Sequence, residues 1–127
     1  MEEDNLKLSV FKLYIDCGRN GELEGVFVAP QEYVDILVDE EIEVYWGEVL
    51  GKHSEVYGSI EDDEIEFITN EEVAVSVIDN YGLASGFNPF EYTCSNLQLL
   101  QEKYENLPET DEIQEIVEFI YNLNKNK

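Results

Sequence analysis

Leu6-Lys7-Leu8-Ser9-Val10-Phe11-Lys12-Leu13-Tyr14-Ile15-Asp16-Cys17 leads through Gly18-Arg19-Asn20-Gly21 into Glu22-Leu23-Glu24-Gly25-Val26-Phe27-Val28-Ala29. Apolar residues alternate as Leu6, Leu8, Val10 and then change phase to Phe11, Leu13, Ile15, which predicts a long strand with a bulge near Val10 and Phe11. Asn20-Gly21 is a hairpin signal, and Leu23, Val26, Phe27 and Val28 resume the strand pattern, so the two segments should pair antiparallel. Whatever else the chain contains has to pack against this hairpin.

Outward from the hairpin, Pro30 suits a helix start, and Tyr33, Val34, Leu37 and Val38 recur at helical spacing, which predicts a helix over 30–39. Residues 42–49, 56–60 and 65–68 are β-rich runs separated by glycines and by the acidic turn Glu61-Asp62-Asp63. Thr69 and Glu72 read as a capping box for a second helix, with Val73, Val77, Ile78 and Tyr81 on one face and Gly82 as its stop. Residues 83–87 read as a loop. From Asn88-Pro89 onward, Leu97, Leu100 and Tyr104 predict helical structure, with room for a break, to about residue 106. After Pro108 a last helix begins near Thr110 and repeats Ile113, Ile116, Val117 and Ile120. The expected fold is α+β: one compact domain over 1–127, mainly antiparallel sheet of about five strands, three to four helices, and a helical C-terminal part.

The chain has 127 residues, of which 30 are Asp or Glu and 7 are Lys or Arg, for a formal charge of -23. With 43% apolar and 12% aromatic residues it can still fill a core and falls outside the composition of disordered chains. The basic residues are scattered at Lys7, Lys12, Arg19, Lys52, Lys103, Lys125 and Lys127. Direct nucleic-acid binding needs clustered cations to displace counterions, which these residues cannot supply, and the same count argues against binding nucleotides or anionic lipid surfaces. No signal peptide or membrane-spanning run is written in the sequence, and a cytoplasmic location in a host cell is expected. Cys17 and Cys94, without a Cys-x-x-Cys, are expected to be reduced and packed. His53 reads as a turn residue beside Ser54, and no nucleophile elbow, phosphate loop, zinc motif or calcium loop is present. No catalytic residue, cofactor or metal is expected.

Three triplets share one form: Glu22-Leu23-Glu24, Glu41-Ile42-Glu43 and Glu64-Ile65-Glu66. On a strand the two glutamates point to one face and the apolar residue to the other. Carboxylates two apart on a strand lie roughly 6.6 Å apart, and those four apart on a helix lie about 6 Å apart along its axis. Both spacings resemble that of neighbouring phosphates on a nucleic-acid strand. Asp111, Glu112, Glu115 and Glu118 form a comparable row opposite the isoleucines of the last helix. Ordinary solvated faces intersperse Lys with Glu, and like charges on adjacent strand positions destabilise a sheet, so stability alone does not account for such rows. Trp46, with Tyr45, and the aromatics around Pro89 read chiefly as core.

Leu13-Tyr14-Ile15 followed by Asn20-Gly21-Glu22-Leu23-Glu24-Gly25-Val26-Phe27-Val28 resembles the opening of the ArdA antirestriction proteins, acidic DNA mimics carried by mobile elements. In that family a strand leads into Asn-x-Gly-x-Leu-x-Gly-x-Trp and an aliphatic residue. Here Phe27 stands in the tryptophan position, one spacer after Asn20 is missing, and the similarity covers about twenty residues. The resemblance implies an antirestriction inhibitor, and more broadly the small size, high negative charge and mixed fold resemble in type, without a shared motif, phage or mobile-element inhibitors that imitate DNA, including some anti-CRISPR proteins.

The expected function is therefore non-enzymatic: a DNA mimic whose carboxylates occupy the basic DNA- or RNA-binding groove of a host-defence nuclease. The residues expected to do this are Glu22, Glu24, Glu41, Glu43, Glu61, Asp62, Asp63, Glu64, Glu66, Asp111, Glu112, Glu115 and Glu118. The partner is a basic nuclease or nucleic-acid-binding protein, and a homodimer would lengthen the charged surface. Two alternatives share the composition. One is an immunity or antitoxin protein for a basic toxin nuclease; the other is an acidic scaffold whose interface centres on aromatics such as Trp46 and Tyr81.

Overall fold

The computed structural model describes residues 7–18, 21–47 and 55–125. Leu6, Asn20, Val49 and His53, on which parts of the sequence reading rest, lie outside the described residues. Strands β1 (Leu8–Asp16) and β2 (Glu22–Pro30) form the expected hairpin, in unbroken antiparallel register from Leu8 opposite Pro30 to Asp16 opposite Glu22. Its loop is closed by the Cys17 N–H on the Gly21 carbonyl at 2.8 Å and by the Gly18 N–H on Asp16 Oδ1 at 2.9 Å.

Helix α1 (Gln31–Asp39) follows directly, then β3 (Glu43–Gly47), β4 (Val56–Ser59), a 3-10 turn over Asp62–Glu64 and β5 (Ile65–Thr69). Helix α2 (Glu72–Asn80), β6 (Ser85–Gly86), a second 3-10 turn over Pro89–Glu91, β7 (Thr93–Cys94), α3 (Leu97–Lys103) and α4 (Ile113–Lys125) complete the order. The strands form two antiparallel sheets, β5-β1-β2-β6 and β4-β3-β7. The fold is α+β with a C-terminal helix. Among the described residues no helix is long and apolar enough to cross a membrane.

The phase change in β1 has a clear cause. It is not the expected bulge in β1: against β2 the register runs straight through, and against β5 Val10 and Phe11 face Thr69 and Phe67, so the extra residue is Ile68 of β5. Adjacent strand residues point to opposite faces, yet Val10 and Phe11 are 1% and 2% exposed. Phe11 joins the main core, whereas Val10 lies outside that cluster, and α2 packs across β1 and β2 with its own buried Val75. This end of β1 is thus covered on both faces.

The main core is one cluster drawing on both sheets: Phe11, Leu13, Leu23 and Phe27 from the first, Val44, Trp46 and Cys94 from the second. Val34 and Leu37 of α1 and Ile113, Ile116, Val117 and Ile120 of α4 close it, the α4 residues being the face expected from their spacing. Trp46 is buried against Tyr92 and Phe87, with centroids 4.8 and 5.8 Å away, so it offers no interface.

Several expectations are corrected. Thr69 belongs to β5 and its Oγ1 accepts the Glu71 N–H at 3.1 Å, so α2 starts at Glu72 without the expected capping box. The sheet takes Val75, and the face read as its buried one is open: Val73 and Tyr81 are 77% and 75% exposed. Residues 83–87 contain β6, and the helical reading of 88–106 is interrupted by β7, which pairs with Val44 and Tyr45. Two-residue strands are dictated by tertiary pairing and carry no periodicity of their own. The last helix begins at Ile113, because an isolated bridge between Thr93 and Glu112 keeps the chain extended up to it.

Gly25 lies opposite Gly86, and a Cβ on either would run into the other segment's backbone, at Phe87 or at Glu24 and Gly25. The Phe87 N–H bonds the Glu24 carbonyl at 3.1 Å across the same approach. Backbone cannot swing away as a side chain can, so Gly25→Ala is expected to cost about 1–3 kcal/mol. Urea denaturation checks this; an unchanged midpoint would mean that β6 docks less closely.

Candidate functional site

The hairpin ladder sets the geometry of the site. Leu13 and Leu23 are fully buried, so Tyr14, Glu22 and Glu24, one residue away on either strand, face outward. Cross-strand pairing puts Tyr14 opposite Glu24, Asp16 opposite Glu22 and, on the β5 side, Lys12 opposite Glu66. The Tyr14 hydroxyl donates to Glu22; that bond, slight desolvation and the surrounding carboxylates hold the phenol's pKa above its ordinary value.

Next to this row stands the 3-10 turn. The Glu64 N–H bonds the Glu61 carbonyl at 3.0 Å, and the Glu64 carboxylate accepts the Glu61 N–H at 2.9 Å. This reciprocal closure leaves Asp62 and Asp63 exposed between three shallow hollows. The first, about 270 Å³, is lined by Lys12, Tyr14, Glu24, Asp63, Glu64 and Glu66. The second, about 620 Å³, has Asp39, Glu41, Glu61, Asp62 and Asp63 in its wall. The third, about 170 Å³, includes Asp35, Asp39 and Asp62. Asp63 is shared by the first two and Asp62 by the last two, so they join into one acidic band in which, among the described residues, Lys12 is the one cation lining the hollows.

The structure therefore brings together Glu24, Glu41, Glu61, Asp62, Asp63, Glu64 and Glu66, with Glu22 beside them through Tyr14. It also corrects the triplet reading. Glu41 sits in the turn before β3 with φ of 53°, and Glu43 is half-buried, its carboxylate accepting Ser95 Oγ and its N–H donating to Asn96 Oδ1, both at 3.0 Å. Those two glutamates do not form a strand row. Glu64 closes the turn, and of the two glutamates in its triplet only Glu66 lies within β5.

The C-terminal row is also reduced. Asp111 and Glu112 precede α4, and Glu118 accepts Gln114 Nε2 at 2.8 Å. None of Asp111, Glu112, Glu115 and Glu118 lines the three hollows. Residues that the sequence reading missed are Tyr14, Lys12, Asp35 and Asp39. The alternation of β1 contained the signal for the first two; the α1 pair needed the packing of the helix beside the turn.

Neither thiol is activated. Burial, then Asp16 and Glu64, push Cys17 up, and burial above all pushes up Cys94, whose Sγ lies 3.0 Å from Asn96 Oδ1. Among the described residues no group of three or more His, Cys, Asp or Glu side chains is arranged to hold a metal ion. What the band can do is present fixed negative charge. The chain matches no protein-family model, no curated protein and no solved structure.

Two titrations follow. Glu22→Gln removes the charge that stabilises the neutral Tyr14 phenol, so the Tyr14 pKa should fall; ultraviolet titration against Tyr14→Phe reads it, and an unmoved value would break the pairing. Asp35 has its pKa raised, first by partial burial and then by Asp39. A carboxyl with a folded-state pKa above its unfolded one contributes stability at low pH that is lost as pH rises through the folded value. Asp35→Asn is therefore expected to raise Tm at pH 7, the gain vanishing as pH falls below the carboxylate range.

Proposed function

We propose that this protein is a non-enzymatic inhibitor that offers the acidic band as a stand-in for a nucleic-acid backbone and occupies the basic groove of a nuclease. The observation that carries the reading is the continuity of the band. Carboxylates from β2, β5, the turn after α1 and the 3-10 turn meet in hollows joined through Asp62 and Asp63, with Lys12 the one cation lining them among the described residues. A hairpin, a reciprocally bonded turn and a helix end hold these groups, so their charge is presented without much ordering cost on binding.

The mechanism is competition. A groove that attracts phosphates attracts the band by the same long-range field, and the bound inhibitor then excludes the substrate sterically. Association is fast at low salt and slows as the Debye length contracts. The resemblance of the hairpin to the ArdA opening favours a host-defence nuclease of restriction or CRISPR type as the target.

The test is capture of partners from host-cell lysate on the tagged protein, at low and high salt, beside a variant carrying Glu24→Gln, Glu61→Gln, Asp62→Asn, Asp63→Asn and Glu66→Gln. Glu64 is kept because it closes the turn. The expected result is one nuclease or DNA-binding complex that is released by salt and displaced by DNA. At about 0.2–1 kcal/mol per exposed charge pair, five neutralised charges should weaken binding at least about fivefold. A partner that survives high salt and still binds DNA, or one that binds the variant equally well, would overturn the proposal.

A further inference from the structure

Large apolar residues left exposed concentrate in one stretch: Phe67, Ile68, Val73, Val77, Tyr81 and Leu83. Three of them, Val73, Val77 and Tyr81, are spaced four apart on α2 and its C-cap and so share a face about 12 Å long. With Glu72, Ser76 and Asn80 they line a hollow of about 320 Å³. This hollow shares no residue with the acidic band.

The charges carried by α2 and the residue before it are of one sign. Glu71, Glu72 and Asp79 are exposed on or beside α2, and no Lys or Arg occurs between Lys52 and Lys103. A second copy of the chain would bring like rims together, at a formal charge of -23 each. An occupant that gains from both features has an apolar ridge to cover the valines and Tyr81 and cations at its edges to meet the carboxylates. We propose that the exposed face of α2 docks a basic amphipathic helix of a partner protein, through a contact separate from the acidic band. Apolar anchors at i, i+4 and i+8 on α2 suit the ridge of a helix laid along it.

The proposal is tested with a synthetic helical peptide of about 18 residues, five turns, bearing Leu along one face and Lys at its borders. A control keeps every Lys and replaces Leu by Ser. The native protein is expected to bind the Leu peptide at least about tenfold more tightly than the control, with NMR shifts on the Val73 and Val77 methyls and the Tyr81 ring. Val73→Ser with Tyr81→Ser should abolish that preference while leaving Tm unchanged, since both side chains are exposed. Equal binding of the two peptides, or a preference that survives the variant, would overturn the proposal. So would a dimer in sedimentation that the variant dissolves, which would assign the face to a second copy. None of these readings depends on the acidic band, so this docking contact and the mimicry proposal can fail separately.

Discussion

Nine consecutive cross-strand pairs between β1 and β2 decide which side chains enter the core and which remain in water. Because side chains alternate across a strand, the ladder that sends Leu13, Leu23 and Phe27 inward sends Tyr14, Glu22 and Glu24 outward. A slip of one residue would exchange the two sets. The core and the acidic band are thus two faces of one pairing, and β5 with its preceding turn extends both. Ile65 packs against the core cluster while Glu66 faces the hollow beside Lys12.

A charge of -23 works against a compact state, and the structure shows where the opposing attraction comes from. Burial does most of it. The core cluster joins both sheets to α1 and α4, and Phe11, Phe27, Phe90, Tyr33 and Tyr121 run through it as successive aromatic contacts at 5.6–6.4 Å. Charge pairing adds local ties such as Lys103 to Glu40 at 2.7 Å, on an exposed surface where such a pair contributes little. Some acids have become structural instead. Glu43 anchors Ser95, and Glu64 closes its turn. Among the described residues Lys12 is the one cation lining the band, and this crowding of like charge is a cost to stability that a role in attracting a basic surface would explain.

Much of the architecture was legible in the residues. The hairpin, the five longer strands and the burial of the α4 isoleucines follow from the pattern of residues, whereas the phase change at Val10 and Phe11, read as a bulge in the first strand, reflects burial of both faces, the extra residue being Ile68 of β5. What the sequence concealed was tertiary in origin. The strands β6 and β7 exist because Gly25, Val44 and Tyr45 offer them partners, and two residues are too few to show a period. Helix α2 has apolar residues on more than one side, and only the packing against β1 and β2 decides that Val75 goes in while Val73, Val77 and Tyr81 stay out. The candidate site was half readable. Adjacent acids in the Glu61 to Glu66 stretch could be grouped by position alone, whereas Glu41, Asp39 and Asp35 join them only through the fold, and Glu43 leaves the group for the same reason.

The most direct measurement of the central claim is amide hydrogen exchange of the protein, free and bound to the basic partner it captures. If the band is the contact, exchange should slow at the outer end of the hairpin, around Tyr14 to Glu24, and across Glu61 to Glu66. Unchanged exchange in both segments, with protection confined to other parts of the chain, would contradict the account.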